Sequence, residues 1–174
     1  MNTSNLTQAD AEEELPLVDR EGNLIGHALR SECHKDNTKT HPVVHVHVLN
    51  SKGEILLQKR SMHKLIQPGK WDTSVGGHIT YGEPVELALE REAWEEAGVE
   101  NGSFQKITSY LWEHKLESEY INVYKCVYEN PKIIAVAEID EIKFWTRAEI
   151  ENAIGKEILT PNFEKEYQMI KNLL

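Results

Sequence analysis

The segment from Pro84 to Gly98, PVELALEREAWEEAG, reads as a helix more firmly than any other part of the chain, and it constrains everything placed around it. A proline opens it and a glycine closes it, the arrangement that suits the two helix ends. At ~100° per residue, Val85, Ala88 and Leu89 fall on one stripe. Glu92, Glu95 and Glu96 continue that stripe, while Glu86, Glu90 and Arg91 point elsewhere. A glutamate-rich helix is ordinarily a solvated surface. Here three like charges are directed inward, where they repel one another and lose their hydration. They require partners, either arginine or a divalent cation. Mg2+ and Mn2+ are hard ions that take carboxylate and water, so Glu92, Glu95 and Glu96 are read as metal ligands.

The remainder reads as strands with few helices. LPLVD and LIGHALR flank Arg20-Glu21-Gly22-Asn23 as a hairpin, and HPVVHVHVLN is a valine-rich strand. Ser51-Lys52-Gly53 turns into the paired strand EILLQKR, and Pro68-Gly69 is a further turn. WDTSVGGHI is expected to be one short strand ending in a glycine pair. FQKITSYLW, YINVYKCVY and EIKFW are later strands. Thr146 to Glu149 has the pattern of a capping box, and Thr160-Pro161 opens a last helix. The expected architecture is one α+β domain over residues 15–174 with a mixed β-sheet, after a flexible lead-in at 1–14.

The chain has 174 residues and a formal charge of −10, which disfavours binding to polymeric nucleic acid, since that needs a basic face. Two cysteines, Cys33 and Cys126, form no disulfide framework and no C-x-x-C pair. No apolar run reaches the ~20 residues of a membrane span, and the polar, acidic first residues are unlike a signal peptide. A cytoplasmic protein acting on a small molecule, with no membrane partner, is the expectation.

Gly77, then Glu83, then Arg91-Glu92-Ala93-Trp94-Glu95-Glu96-Ala97-Gly98-Val99 satisfy the pattern G-x5-E-x7-R-E-U-x-E-E-x-G-U at every specified position. This resembles the Nudix box. The resemblance implies a Nudix α/β/α sandwich and a Mg2+- or Mn2+-dependent pyrophosphohydrolase, and a homodimer would not be unusual. It implies that Glu92, Glu95 and Glu96 are metal ligands, with Glu92 also the base and the Gly76 carbonyl a further ligand. Glu83 and Arg91 resemble the ion pair that holds the loop on the helix, and Gly77 and Gly98 resemble the turn and cap glycines. Glu119, with Glu117 beside it, resembles the base that some members carry outside the box.

A second resemblance is to isopentenyl-diphosphate isomerases, a branch of the same superfamily. His34, His41, His78, Glu117 and Glu119 fall where that branch has five metal ligands, implying a second metal. Arg30, Arg60 and Lys64 fall where it has diphosphate-contacting residues. The match departs at Gly76, which stands where the isomerase has its catalytic cysteine, and at Glu92, which stands where it has a diphosphate-binding arginine. His45, His47 and His63 are read as packing or surface residues, and Trp71, Tyr81, Tyr110 and Trp112 as core aromatics before base-stacking ones. The expected function is hydrolysis of a phosphoanhydride in a nucleoside diphosphate or related compound. The alternatives are an isomerase-like enzyme and a non-catalytic nucleotide-binding domain.

Overall fold

The computed structural model describes residues 12–64, 66–134 and 137–174. Most of the expected lead-in therefore lies outside the described residues, although Glu14 already stands in the first strand. Strands β1 (Glu14–Val18) and β2 (Leu24–Leu29) form the expected hairpin. A one-turn helix, α1 (Arg30–Cys33), follows, taking in Arg30, which the sequence reading placed in the strand. Its carbonyls at Arg30 and Glu32 accept from the His34 and Lys35 N–H groups, and buried Cys33 anchors it.

The main sheet has seven strands. They are β3 (His41–Leu49), β4 (Ile55–Arg60), β5 (Trp71–Asp72), β6 (Val75–His78), β7 (Gln105–Glu113), β8 (Ser118–Val127) and β9 (Ile139–Trp145). β3 runs parallel to β8 along its whole length and antiparallel to β6, so the sheet is mixed. β4 lies between β5 and β9. β3 and β4 share only the Leu49–Ile55 pair beside their turn, and then splay apart.

That splay explains why WDTSVGGHI is two strands rather than one. Its first part pairs with β4 and its second with β3. Ser74 sits at the crossing: its hydroxyl donates to the Leu56 carbonyl (2.5 Å) and accepts from the Val48 N–H (3.0 Å). Two buried main-chain groups that the ladder cannot serve are thereby satisfied.

Helix α2 (Val85–Ala97) covers one face of β3, packing Ala88, Leu89 and Ala93 against Val44, Val46 and Val48. Its C-terminal residue, Gly98, has φ 62°, a left-handed conformation that allows its N–H to reach back into the last turn. Helix α3 (Arg147–Ala153) carries the capping box, with reciprocal bonds between Thr146 and Glu149. Helix α4 (Pro161–Ile170) covers the other face of the sheet. There Phe163 and Tyr167 pack with Leu49, Ile55 and Leu57, and Ile170 with Val43, Ile121 and Val123. Thr160 caps α4 by accepting from Phe163 N–H and donates to Asp72 Oδ1 (2.8 Å), which ties the helix start to β5. The result is the expected α/β/α layering around a mixed sheet.

Because the Thr146 hydroxyl serves an otherwise unpaired N–H at Glu149, Thr146→Ala should lower the unfolding free energy by about 1 kcal/mol. Urea denaturation with an unchanged slope would show it.

Candidate active site

Alternation along β3 sends Val44, Val46 and Val48 toward α2, and His41, Val43, His45 and His47 toward the α4 side. The glycine pair of β6 lies in register with this strand, Gly77 opposite Val44 and Gly76 opposite His45. A side chain on Gly77 would displace Glu92 from its present place, because its Cβ would lie 1.9 Å from the Glu92 carboxyl carbon. The backbone of β6 thus approaches the helix closely enough for direct contact with its carboxylates. Glu96, buried, accepts from the Gly76 N–H (2.8 Å) and from Gln58 Nε2 (2.9 Å). Its burial, aided by nearby Glu92, raises its carboxyl to about 8.

Arg91 organises the rest. Its guanidinium donates to Glu83 (2.9 and 3.0 Å), to the His78 carbonyl (3.1 Å) and to Glu92 (2.6 Å), and lies 3.7 Å from Glu95. Glu83 in turn accepts from the Thr80 N–H (3.0 Å), so the loop after β6 is fastened to α2 as the sequence suggested. These bonds hold Glu83 below its usual range, while burial holds Glu92 above it. The three helix carboxylates are not all directed inward. Side-chain exposure is 12% at Glu92 and 43% at Glu95, whereas Glu96 is buried. The wheel misjudged Arg91 as well: its long side chain folds back across the turn to neutralise Glu92 and Glu95.

A second constellation forms where α1, β3, β6 and β8 meet. One ligand atom each from His34, His41 and His78 lies within 4.8 Å of the others, and the same holds for His41, Glu117 and Glu119. The His34 and His78 Nε2 atoms face each other at 3.0 Å. His41 directs Nδ1 to the Lys39 carbonyl (3.2 Å), leaving Nε2 buried and without a hydrogen-bond partner among the described residues. A ring nitrogen fixed by a backbone carbonyl, with the other turned to its neighbours, is the usual posture of a metal-ligating histidine. Burial, then the charges of His41 and Arg30, lowers His34 to about 4, and burial lowers His41 and His78 also. Burial raises Glu117, and burial with the Glu117 charge raises Glu119 to about 7. Burial thus favours the uncharged form of each group, and neutral imidazoles offer lone pairs that suit a divalent cation.

Two of the three basic residues singled out in the sequence border this constellation. Arg30 and Arg60 both lie close enough to Glu117 to bear on its charge. Arg30 pairs with Glu13 (3.1 Å) and Arg60 with Asp72 (3.2 Å). Lys64 pairs with Glu138 (2.6 Å) at the surface. Among the aromatics, Trp71 packs edge-on against Trp145 in the core and Trp112 lies under Lys165, while Tyr81 stacks on His27. His63 is exposed.

Sequence reading missed one polar group altogether. Glu166 of α4 is fully buried, and it bonds to His45 Nδ1 (2.8 Å), His47 Nε2 (2.6 Å) and the Tyr110 hydroxyl (2.7 Å). Although burial opposes it, the two imidazoles hold Glu166 well below the carboxylate range. Against the same opposition, Glu166 raises His45 to about 9. Two histidines alternating on a buried strand were the available signal; their partner lies 119 positions away from His47.

Residues 39–165 match the NUDIX domain family, and the chain belongs to that family. It is 34% identical over 108 residues to an isopentenyl-diphosphate Delta-isomerase of Corynebacterium efficiens, a match covering 62% of this chain and 57% of that relative. It is 28% identical over 134 residues to an uncharacterized Nudix hydrolase of Yersinia pestis, covering 77% of this chain and 73% of the relative. A crystal structure of a Deinococcus radiodurans protein superposes with a TM-score of 0.76 at 26% identity, over 90% of this chain and 98% of that one. No helix among the described residues is long and apolar enough to cross a membrane.

The raised carboxyls give a testable pH dependence. Unfolded, Glu96 and Glu119 ionise near 4.5; folded, they keep their protons to about 8 and about 7. Between those values the folded state binds more protons, so on their account metal-free stability falls as pH rises. A bound cation favours the ionised forms. Mn2+ should therefore raise Tm more at about pH 8.5 than at about pH 6, with proton release on binding at the lower pH. Thermal melts at both values with and without Mn2+ would decide it, an equal rise at both counting against it.

Proposed function

We propose that this protein is a divalent-metal-dependent hydrolase of a phosphoanhydride, acting on a nucleoside diphosphate or a related diphosphate compound. The observation that carries the reading is the packing of Glu92 and Glu96 against the bare backbone of Gly77 and Gly76. Glu92, Glu95, Glu96 and the Gly76 carbonyl would hold Mg2+ or Mn2+ through oxygen alone. His34, His41, His78, Glu117 and Glu119 would hold a second ion, and their imidazoles favour a transition metal such as Mn2+ over Mg2+. When bound, the metal neutralises phosphate charge and makes its water a better nucleophile.

The chain's own groups supply the remaining functions. Glu92 is the first choice to accept the proton of the attacking water, and Glu119, whose carboxyl is raised to about 7, is the second. Arg60 and Arg30, which lie near Glu117, and Lys64 farther out would bind outer phosphate oxygens after exchanging their present carboxylate partners. Arg91 stays committed to Glu83 and the His78 carbonyl, holding the helix and loop together.

An isomerase-like reading has one observation in its favour, the His34–His41–His78 cluster, together with relatives that bear that name. It is opposed by Gly76, which offers no acid to protonate carbon.

Glu96→Gln should reduce turnover by orders of magnitude while the fold persists, as 31P NMR of a panel of nucleoside diphosphates, nucleotide sugars and isopentenyl diphosphate would show. Unchanged product formation would refute the assignment. His34→Ala should lower the Mn2+ bound per chain in metal analysis, and equal content in both proteins would remove the second ion.

A further inference from the structure

Glu96 reaches from α2 into the fork between β4 and β6, and the two oxygens of its carboxylate have different surroundings. Oε2 accepts two bonds, one from the Gly76 N–H of β6 (2.8 Å) and one from Gln58 Nε2 of β4 (2.9 Å). Oε1 accepts none among the described residues. Polar atoms in a packed interior ordinarily take a partner, so this asymmetry calls for a reason. An oxygen that no donor occupies keeps its lone pairs for a cation. The backbone of β6 is turned in the same sense. Gly76 stands opposite His45 in the β3–β6 ladder, yet its N–H bonds to Glu96 and so points away from β3. In an antiparallel ladder the N–H and C=O of one residue share a side, so the Gly76 carbonyl also turns from β3, to the side on which α2 lies.

Gln58 is an unexpected residue for its place. It sits on β4 between Asp72 of β5 and Ile142 of β9. Alternation puts it on the same face as Leu56, which packs in the apolar cluster under α2. Gln58 is itself buried, at 8% exposure. Its side chain has one hydrogen bond among the described residues, the bond to Glu96. An apolar side chain would serve packing alone with less loss of hydration. The splay of β3 and β4 is what gives the amide its reach, since Glu96 enters the gap between them with Gln58 on one side and Gly76 on the other.

We infer that Gln58 is a positioning residue for metal binding: together with the Gly76 N–H it holds Glu96 by Oε2 and leaves Oε1 as the oxygen that takes the divalent cation. The inference rests on the reading of Glu92, Glu95 and Glu96 as metal ligands. It makes Glu96 a ligand through one oxygen and not through both. Gln58 acts through Glu96 alone and touches neither metal nor substrate.

The decisive variant is Gln58→Leu, which removes the donor and suits the apolar neighbours Leu56 and Ile142. Mn2+ alone is titrated into the wild type, Gln58→Leu and Glu96→Gln, with free Mn2+ followed by electron paramagnetic resonance. The binding lost in Glu96→Gln identifies the helix site. Gln58→Leu should weaken that site by roughly 10- to 100-fold, the usual effect of removing a group that orients a metal ligand. A role in packing alone would move the metal-free Tm and not this affinity. In the wild type, the side-chain amide 15N resonance of Gln58 should move when Mg2+ is added, a readout that survives if the variant fails to fold. Equal affinity in a folded variant, or an unmoved resonance in a saturated wild type, overturns the role of Gln58 and leaves the helix site standing. A Glu96→Gln protein that binds Mn2+ as the wild type does overturns the helix-site reading itself.

Discussion

The divergence of β3 and β4 is the constraint on which the rest of the structure depends. Two strands joined by a tight turn would ordinarily pair along their length; these share one pair and separate. The gap leaves main-chain donors and acceptors of both strands needing partners. Residues 71–78 fill it by crossing from β4 to β3, with Ser74 bonded to both strands at the crossing. The segment then passes directly over α2, and glycine at 77 leaves the Glu92 carboxylate its present place. The placement of the carboxylates against the backbone is thus a consequence of how the sheet forks.

Charge is balanced differently on the two faces of that sheet. On the α2 face a single guanidinium, Arg91, serves Glu83, Glu92 and Glu95 and also bonds the loop carbonyl of His78. On the α4 face no arginine or lysine among the described residues is bonded to the buried carboxylate; imidazoles take that part. Between them, at one end of β3, lies a cluster in which burial lowers the histidines and raises the carboxyls, favouring the uncharged form of each. Such a cluster costs little to keep without an ion and offers lone pairs to one.

Much of this was legible in the sequence because it is local. The turn glycines, the capping box at Thr146 and the cap at Thr160 each declare themselves within a few residues. The Glu83–Arg91 pair and the three histidines of the cluster were legible through family resemblance, since no short-range pattern links His34 to His78. What was not legible depended on long side chains and distant partners. A wheel places Cα atoms, so it could not show that Arg91 bends back over Glu92 or that Glu95 turns outward. The break in WDTSVGGHI follows from the fork and not from its own residues. Glu166 reads as an ordinary polar position in an amphipathic helix, and only the approach of α4 to β3 reveals its histidine partners.

The same fork bears on which chemistry the scaffold can support. Moving a proton to or from carbon requires an acid or base beside the carbon and a pocket from which water is excluded. Gly76 supplies neither acid nor base. The wall facing it is His45, and behind His45 stand Glu166, Tyr110 and Asn162 in one bonded network. A hydrocarbon chain set against that wall would leave the polar edge of the His45 ring without a partner. An oxygen-rich group would satisfy it. The bare backbone at Gly76 and the fixed polar edge at His45 therefore both agree with the phosphoanhydride reading proposed above.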